Sequence, residues 1–119
     1  MILGIGIDSI EIARVAEKCR NADSRFIEKM FTEHERLRAA RNRFEPYQHL
    51  AACFAAREAF FKATQVWYRR AQVSVAHYPT GQPYFVLSEK VQSLLGARTV
   101  HLSLTHDMTH ATAFCVCEE

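Results

Sequence analysis

Asp8, Glu58 and Lys62 are the residues of this 119-residue chain whose types and spacing can do chemistry together. Glu58 and Lys62 stand one helical turn apart in "FAAREAFFKATQ" (54–65), where Ala55, Ala56, Ala59 and Ala63 sit among large aromatics and no breaker interrupts them. That stretch reads as helix, and the spacing makes the two side chains same-face neighbours. Ala51 and Ala55 share the face and leave room beside Glu58 for something to approach. Asp8 closes "ILGIGID", which reads as a strand ending at Asp8. One carboxylate from a strand end and one from a facing helix suit a hard divalent cation. Mg²⁺, with Mn²⁺ as its alternative, takes one or two protein carboxylates and fills its other positions with water and substrate phosphates. Lys62 adds a point charge for the same phosphates. The three residues also admit a plainer reading, with Asp8 near a helix start and Glu58–Lys62 as a solvent-facing ion pair.

The elements that must position them can be read along the chain. In "ILGIGID", Leu3, Ile5 and Ile7 alternate with Gly4 and Gly6, giving one bulky face and one bare enough for another backbone to come close. Ser9 is placed to cap a following helix, whose apolar stripe is Ile12, Val15, Ala16 and Cys19. Residues 21–24 break it, and a short helical turn at "RFIEKMF" follows. Thr32 and Glu35 form a capping box for a helix through about Arg43. Pro46 closes that segment, and the long helix starts near Tyr47. "VSVAHY" and "YFVL" flank "PTGQP" as a hairpin. Ser88 and Gly96 bound a short helix. "TVHLSLTH" and "HATAFCVC" are two alternating strands joined by a brief turn. The fold class is α+β, one strand and helices first and then a mainly antiparallel sheet, in a single domain over 1–119.

Composition removes several classes of function. Hydrophobic residues make up 49% and charged residues 24% of the chain, with a net charge of +2. That is ordinary globular composition and too mild a charge for a nucleic-acid or acidic-membrane binder. No membrane span or signal peptide is expected. The four cysteines follow no ribbon or secreted-scaffold spacing, which fits reduced thiols in the cytoplasm. Cys115 and Cys117, on one strand face with Ala111 and Ala113, read as packed interior rather than as a zinc site with His106 and His110.

"GIGIDSIEIARV" (4–15), "FTEHE" (31–35), "LAACFAAREAFFKA" (50–63), "GQPYF" (81–85) and "SLTH" (103–106) occur in that order. In order and spacing they resemble the holo-acyl-carrier-protein synthases, the small, trimeric 4′-phosphopantetheinyl transferases. The resemblance implies Mg²⁺-dependent transfer of the phosphopantetheine arm of coenzyme A to a carrier-protein serine, in fatty-acid or specialised-metabolite synthesis, with release of adenosine 3′,5′-bisphosphate. It assigns Mg²⁺ to Asp8 and Glu58 and the diphosphate to Lys62, and it makes Glu58, acting directly or through a metal-bound water, the candidate for proton removal. It places coenzyme A against Ser103, Thr105 and His106 across a subunit boundary of a homotrimer, with Gly81 and Pro83 on the neighbouring wall. The basic cluster of Arg36, Arg38, Arg41 and Arg43 reads either as a solvated helix face or as the site of the ribose 3′-phosphate, with Arg41 and Arg43 favoured. The acidic carrier protein is expected on Arg14, Arg25, Phe26 and Lys29.

The chain departs from the family pattern at three places. "TQVWY" (64–68) stands where a glycine-rich loop usually wraps the diphosphate, Cys53 stands where an arginine is common, and Phe61 replaces a residue that is often small and polar. Glycines bring backbone N–H groups onto phosphate more freely than residues with side chains do. Two readings follow: a transferase with a rebuilt loop in which Arg57, Trp67 or Tyr68 takes over contacts, or a paralogue that binds a carrier protein without transferring the arm.

Overall fold

The computed structural model describes residues 1–21 and 23–119. Ala22, inside the expected break at 21–24, lies outside the described residues. The elements run β1 (Ile2–Glu11), α1 (Ile12–Asn21), α2 (Ser24–Met30), α3 (Glu33–Ala40), α4 (Pro46–Thr64), β2 (Val73–His77), β3 (Pro83–Leu87), α5 (Glu89–Leu95), β4 (Thr99–His106) and β5 (His110–Glu118). The fold is α+β, with an antiparallel sheet in the order β1-β5-β4 and a β2-β3 hairpin.

The 19-residue helix α4 lies against the inner face of the larger sheet. A Cβ at Gly4 would overlap the carbonyl oxygen of Ala63, and one at Gly6 would overlap that of Ala59. The bare face of β1 is therefore what lets the helix backbone come so close. Ala51, Cys53, Ala55, Ala56 and Ala59 on α4 are fully buried, as are Ala111, Ala113, Cys115 and Cys117 on β5. Small residues on both surfaces make a thin, tightly packed layer, and both thiols of the C-x-C point into it. The opposite sheet face is open and carries exposed apolar side chains, with Leu3 at 49%, Ile5 at 61%, Ile7 at 60% and Phe114 at 41% exposure.

Three boundaries differ from those expected. β1 continues past Asp8 to Glu11, because its pairing with β5 runs on through Ser9↔Thr112 and Glu11↔His110. Ser9 consequently caps no helix, and its Oγ lies 3.0 Å from Thr112 Oγ1. Helix α3 stops at Ala40, since the Asn42 side chain accepts hydrogen bonds from the backbone N–H groups of Phe44 and Glu45 and turns the chain first. Pro46 then opens α4 from its first turn, where a missing N–H costs nothing. The capping box is formed: Thr32 Oγ1 accepts from Glu35 N at 3.2 Å, and Glu35 Oε1 accepts from Thr32 N at 3.0 Å. The hairpin and the β4–β5 pair lie where the alternation placed them.

Candidate active site

Asp8 follows Gly4 and Gly6 on the inner face of β1, because alternate residues of a strand share a face. It thus points toward the helix that carries Glu58 and Lys62. Lys62 Nζ donates to Ile7 O at 2.9 Å and lies 3.4 Å from Asp8 Oδ1. The expected Glu58–Lys62 ion pair is therefore not the one that forms: among the described residues, the carboxylate partner of Lys62 is Asp8. The bare strand face draws the lysine across to β1, and Glu58 is left without an ion-pair partner among the described residues.

Tyr68 stands on the wall of the cavity that holds Glu58. Burial first, and then the negative charge of Glu58, with a smaller push from Asp8, raise its phenol to about 12. Glu58 and Tyr68 line a cavity of about 200 Å³ with Lys29, Met30, Phe54 and Arg57. No group of three or more histidine, cysteine or acidic side chains gathers as a metal cage among the described residues. Two hard carboxylates leave most positions of an octahedral cation to water and phosphate, which fits Mg²⁺ and does not fit a structural zinc.

The segment that replaces the glycine loop turns two of its backbone donors back on the chain. Gln65 takes the left-handed conformation (φ 59°) that ends α4, and its N–H donates to Phe61 O at 2.8 Å. Val66 N donates to Thr64 Oγ1 at 3.1 Å. Two backbone donors that a phosphate loop would offer are committed to the chain itself. Trp67 is 78% exposed and its ring centroid lies 4.4 Å from that of Phe61, forming an aromatic shelf one residue from Lys62.

Arg57, expected among the coenzyme A contacts, is turned inward instead. Its Nη1 lies 2.8 and 2.6 Å from the two carboxylate oxygens of Glu35, and it also donates to the carbonyls of Val73 and Met30. Glu35, fully buried, accepts from Val75 N at 2.9 Å as well. The pair joins α3, α4 and β2, and its guanidinium is spent on the interior. A buried carboxylate without that partner would be costly, which is the physical reason Arg57 does not reach outward. The capping-box motif showed Glu35 as a helix start but gave no sign of this second role.

The other expected coenzyme A contacts divide between regions. Arg41, Gly81, Pro83 and His106 meet around one cavity of about 610 Å³ that also takes in Arg38, His49 and His77. Ser103 and Thr105 lie on the outer sheet face, paired with Phe114 and Thr112. Arg43 lines a separate cavity with Arg20, Phe44 and His110. Of the expected carrier-protein residues, Arg14 and Phe26 line an apolar groove with Lys18, Met30 and Phe54. Lys29 stands at the Glu58 cavity, and Arg25 is exposed on α2. Met30 and Phe54 are common to the groove and the Glu58 cavity, so the two adjoin. Sequence reading missed Lys18, Met30, Phe54, His49 and His77; helical spacing could have found the first three, whereas nothing local links His49 to His77.

The chain is similar to known proteins along its whole length. Residues 4–115 match the model of the 4′-phosphopantetheinyl transferase superfamily. A holo-[acyl-carrier-protein] synthase of Protochlamydia amoebophila is 34% identical over 98% of both chains. One from Acidovorax sp. is 35% identical over 100% of this chain and 99% of its own. Among solved structures, a holo-(acyl-carrier-protein) synthase of Bacillus anthracis in complex with CoA (3′,5′-ADP) superposes with a TM-score of 0.83 at 31% identity, covering 100% of this chain and 98% of that one. The synthase of Neisseria meningitidis gives a TM-score of 0.86 at 29% identity, covering all of both chains. On the strength of these full-length matches, the chain belongs to the holo-[acyl-carrier-protein] synthase family of 4′-phosphopantetheinyl transferases.

Proposed function

We propose that this chain transfers the 4′-phosphopantetheine arm of coenzyme A to a serine of an apo acyl carrier protein and releases adenosine 3′,5′-bisphosphate. The carrying observation is the approach of Lys62 to Asp8 on the helix face that also bears Glu58. When bound, Mg²⁺ on Asp8 and Glu58 would neutralise the diphosphate as the phosphoryl bond to the leaving group breaks. Lys62 sits beside that site with a half-exposed ammonium, ready to exchange Ile7 O and Asp8 for a diphosphate oxygen. Glu58 opens into a small cavity beside the groove of Arg14 and Phe26, so a serine arriving from a docked carrier meets a carboxylate that can take its proton. The apolar walls at Met30 and Phe54 keep that encounter away from bulk water. The test is release of adenosine 3′,5′-bisphosphate when apo carrier protein, coenzyme A and Mg²⁺ are mixed with the chain.

The working form is a homotrimer. Supporting this, the outer face of β1 and β5 exposes Leu3, Ile5, Ile7 and Phe114 together, a larger contiguous apolar surface than single exposed residues explain. Ser103 and Thr105 lie on that same face while Lys62 and Asp8 lie behind the sheet, so one chain's expected coenzyme A contacts do not close into one pocket. Subunit pairing supplies the missing wall. The chain acts in the cytoplasm, in fatty-acid or specialised-metabolite synthesis; no helix among the described residues is long and apolar enough to cross a membrane.

A further inference from the structure

The cavity shared by Arg41, Gly81, Pro83 and His106 has a feature that the transfer chemistry does not use. His49 of α4 and His77 of β2 face each other there, ring centroids 5.5 Å apart. His77 Nδ1 is a buried polar atom without a hydrogen-bond partner among the described residues. His49 Nε2 has the Cys53 sulfur at 3.4 Å. The charged groups around the pair are mostly cationic: Arg38 and Arg41 from α3 and its end, with His34 nearby, and His106 from β4. Among the described residues, Glu45, ahead of α4, is the one carboxylate on the wall; Glu35, behind Cys53, is committed to Arg57. The Cys53 thiol is pushed well up by burial and offers no negative charge.

Resting on the transferase reading, we infer that His49 and His77 are specificity-determining residues that bind the terminal phosphate monoester of coenzyme A with uptake of a proton. A protonated imidazole presents two donors and a positive charge to a phosphate, whereas a neutral one presents a single donor. Without an anion, burial first and then the charges of His77, Arg38 and His34 hold His49 down near 4, and burial with Arg38 and His34 lowers His77. A dianion among these groups reverses the charge part of that penalty, so binding and protonation favour each other. The phosphate itself gains a proton near pH 6, which weakens simple electrostatic binding as pH falls. The histidine pair makes the opposite trend.

The experiment titrates the intact protein with coenzyme A and with dephospho-coenzyme A by calorimetry, at about pH 6 and about pH 8. The expected result is a preference for coenzyme A that rises about fivefold or more from the higher to the lower pH, together with proton uptake seen as buffer-dependent heat. H49Q and H77Q, alone and together, should bind both ligands with a preference that is flat or falls at low pH. Binding of both ligands by wild type without that pH trend overturns the inference and leaves the transferase reading standing. Failure of coenzyme A to bind at any pH overturns the transferase reading and the inference with it. Because the decisive comparison is made on wild type, misfolding of a variant does not rescue the inference.

Discussion

Lys62 of α4 meets Asp8 of β1 across the glycine face of the strand, at 3.4 Å and with half its side chain still exposed. An exposed pair of this kind contributes little to stability, about 0–1 kcal/mol. On the proposed function, its value lies in holding an ammonium beside the Asp8 carboxylate. Lys62→Ala is expected to lower kcat/KM about 10²-fold, by analogy with loss of one preorganised electrostatic donor, while the melting temperature stays nearly unchanged. Steady-state kinetics and a thermal scan on the same preparation check both halves.

Arg57 and Glu35 show the opposite balance. Both are buried and joined at 2.6 Å, so removing either partner strands a charge in the interior. Arg57→Ala or Glu35→Ala should cost about 3–5 kcal/mol of folding stability. Denaturant unfolding measures it, and a variant that loses activity at full stability would place Arg57 in the substrate site after all.

Gly6 sets the distance between β1 and α4. Gly6→Ala would drive a methyl group into the Ala59 carbonyl, so strand and helix must separate, at a cost of about 1–3 kcal/mol. The same shift moves Asp8 away from Glu58 and Lys62. Activity measured well below the melting temperature should therefore fall too, and calorimetry with kinetics separates the two losses.

His49 makes stability depend on pH. Its folded value near 4, lowered first by burial and then by neighbouring cations, lies below the ordinary histidine value of 6.5. Between those values the unfolded chain takes up a proton that the folded chain refuses, so stability is lost as pH falls from about 6.5 through about 4. After allowance for partial exposure the loss is about 2 kcal/mol. Unfolding curves of wild type and His49→Gln across this range should diverge, with the variant losing less.

The outer sheet face can be tested by charge. Ile7→Asp places a carboxylate in the centre of the exposed patch opposite Phe114. Sedimentation should show the proposed trimer reduced to single chains, with transfer activity lost and the fold retained by circular dichroism.

Local patterns carried much of this structure. The glycine alternation of β1 announced a close neighbour, the Thr32–Glu35 spacing announced a capped helix, and the C-x-C phase announced inward thiols. Each depends on residues only a few positions apart. What the sequence could not show depends on pairings made by the fold: Lys62 choosing Asp8 over Glu58, Arg57 choosing Glu35 over a ligand, and His49 meeting His77. The strand running past Asp8 was hidden for the same reason, since its partner β5 lies at the other end of the chain.

The most direct test of the account is the intact mass of an apo acyl carrier protein after incubation with this chain, coenzyme A and Mg²⁺. The account predicts a gain of one phosphopantetheine arm with wild type, none when Mg²⁺ is chelated, and none with Asp8→Ala or Glu58→Ala. A carrier protein that binds this chain yet gains no mass, or a gain that persists in both variants, would contradict it.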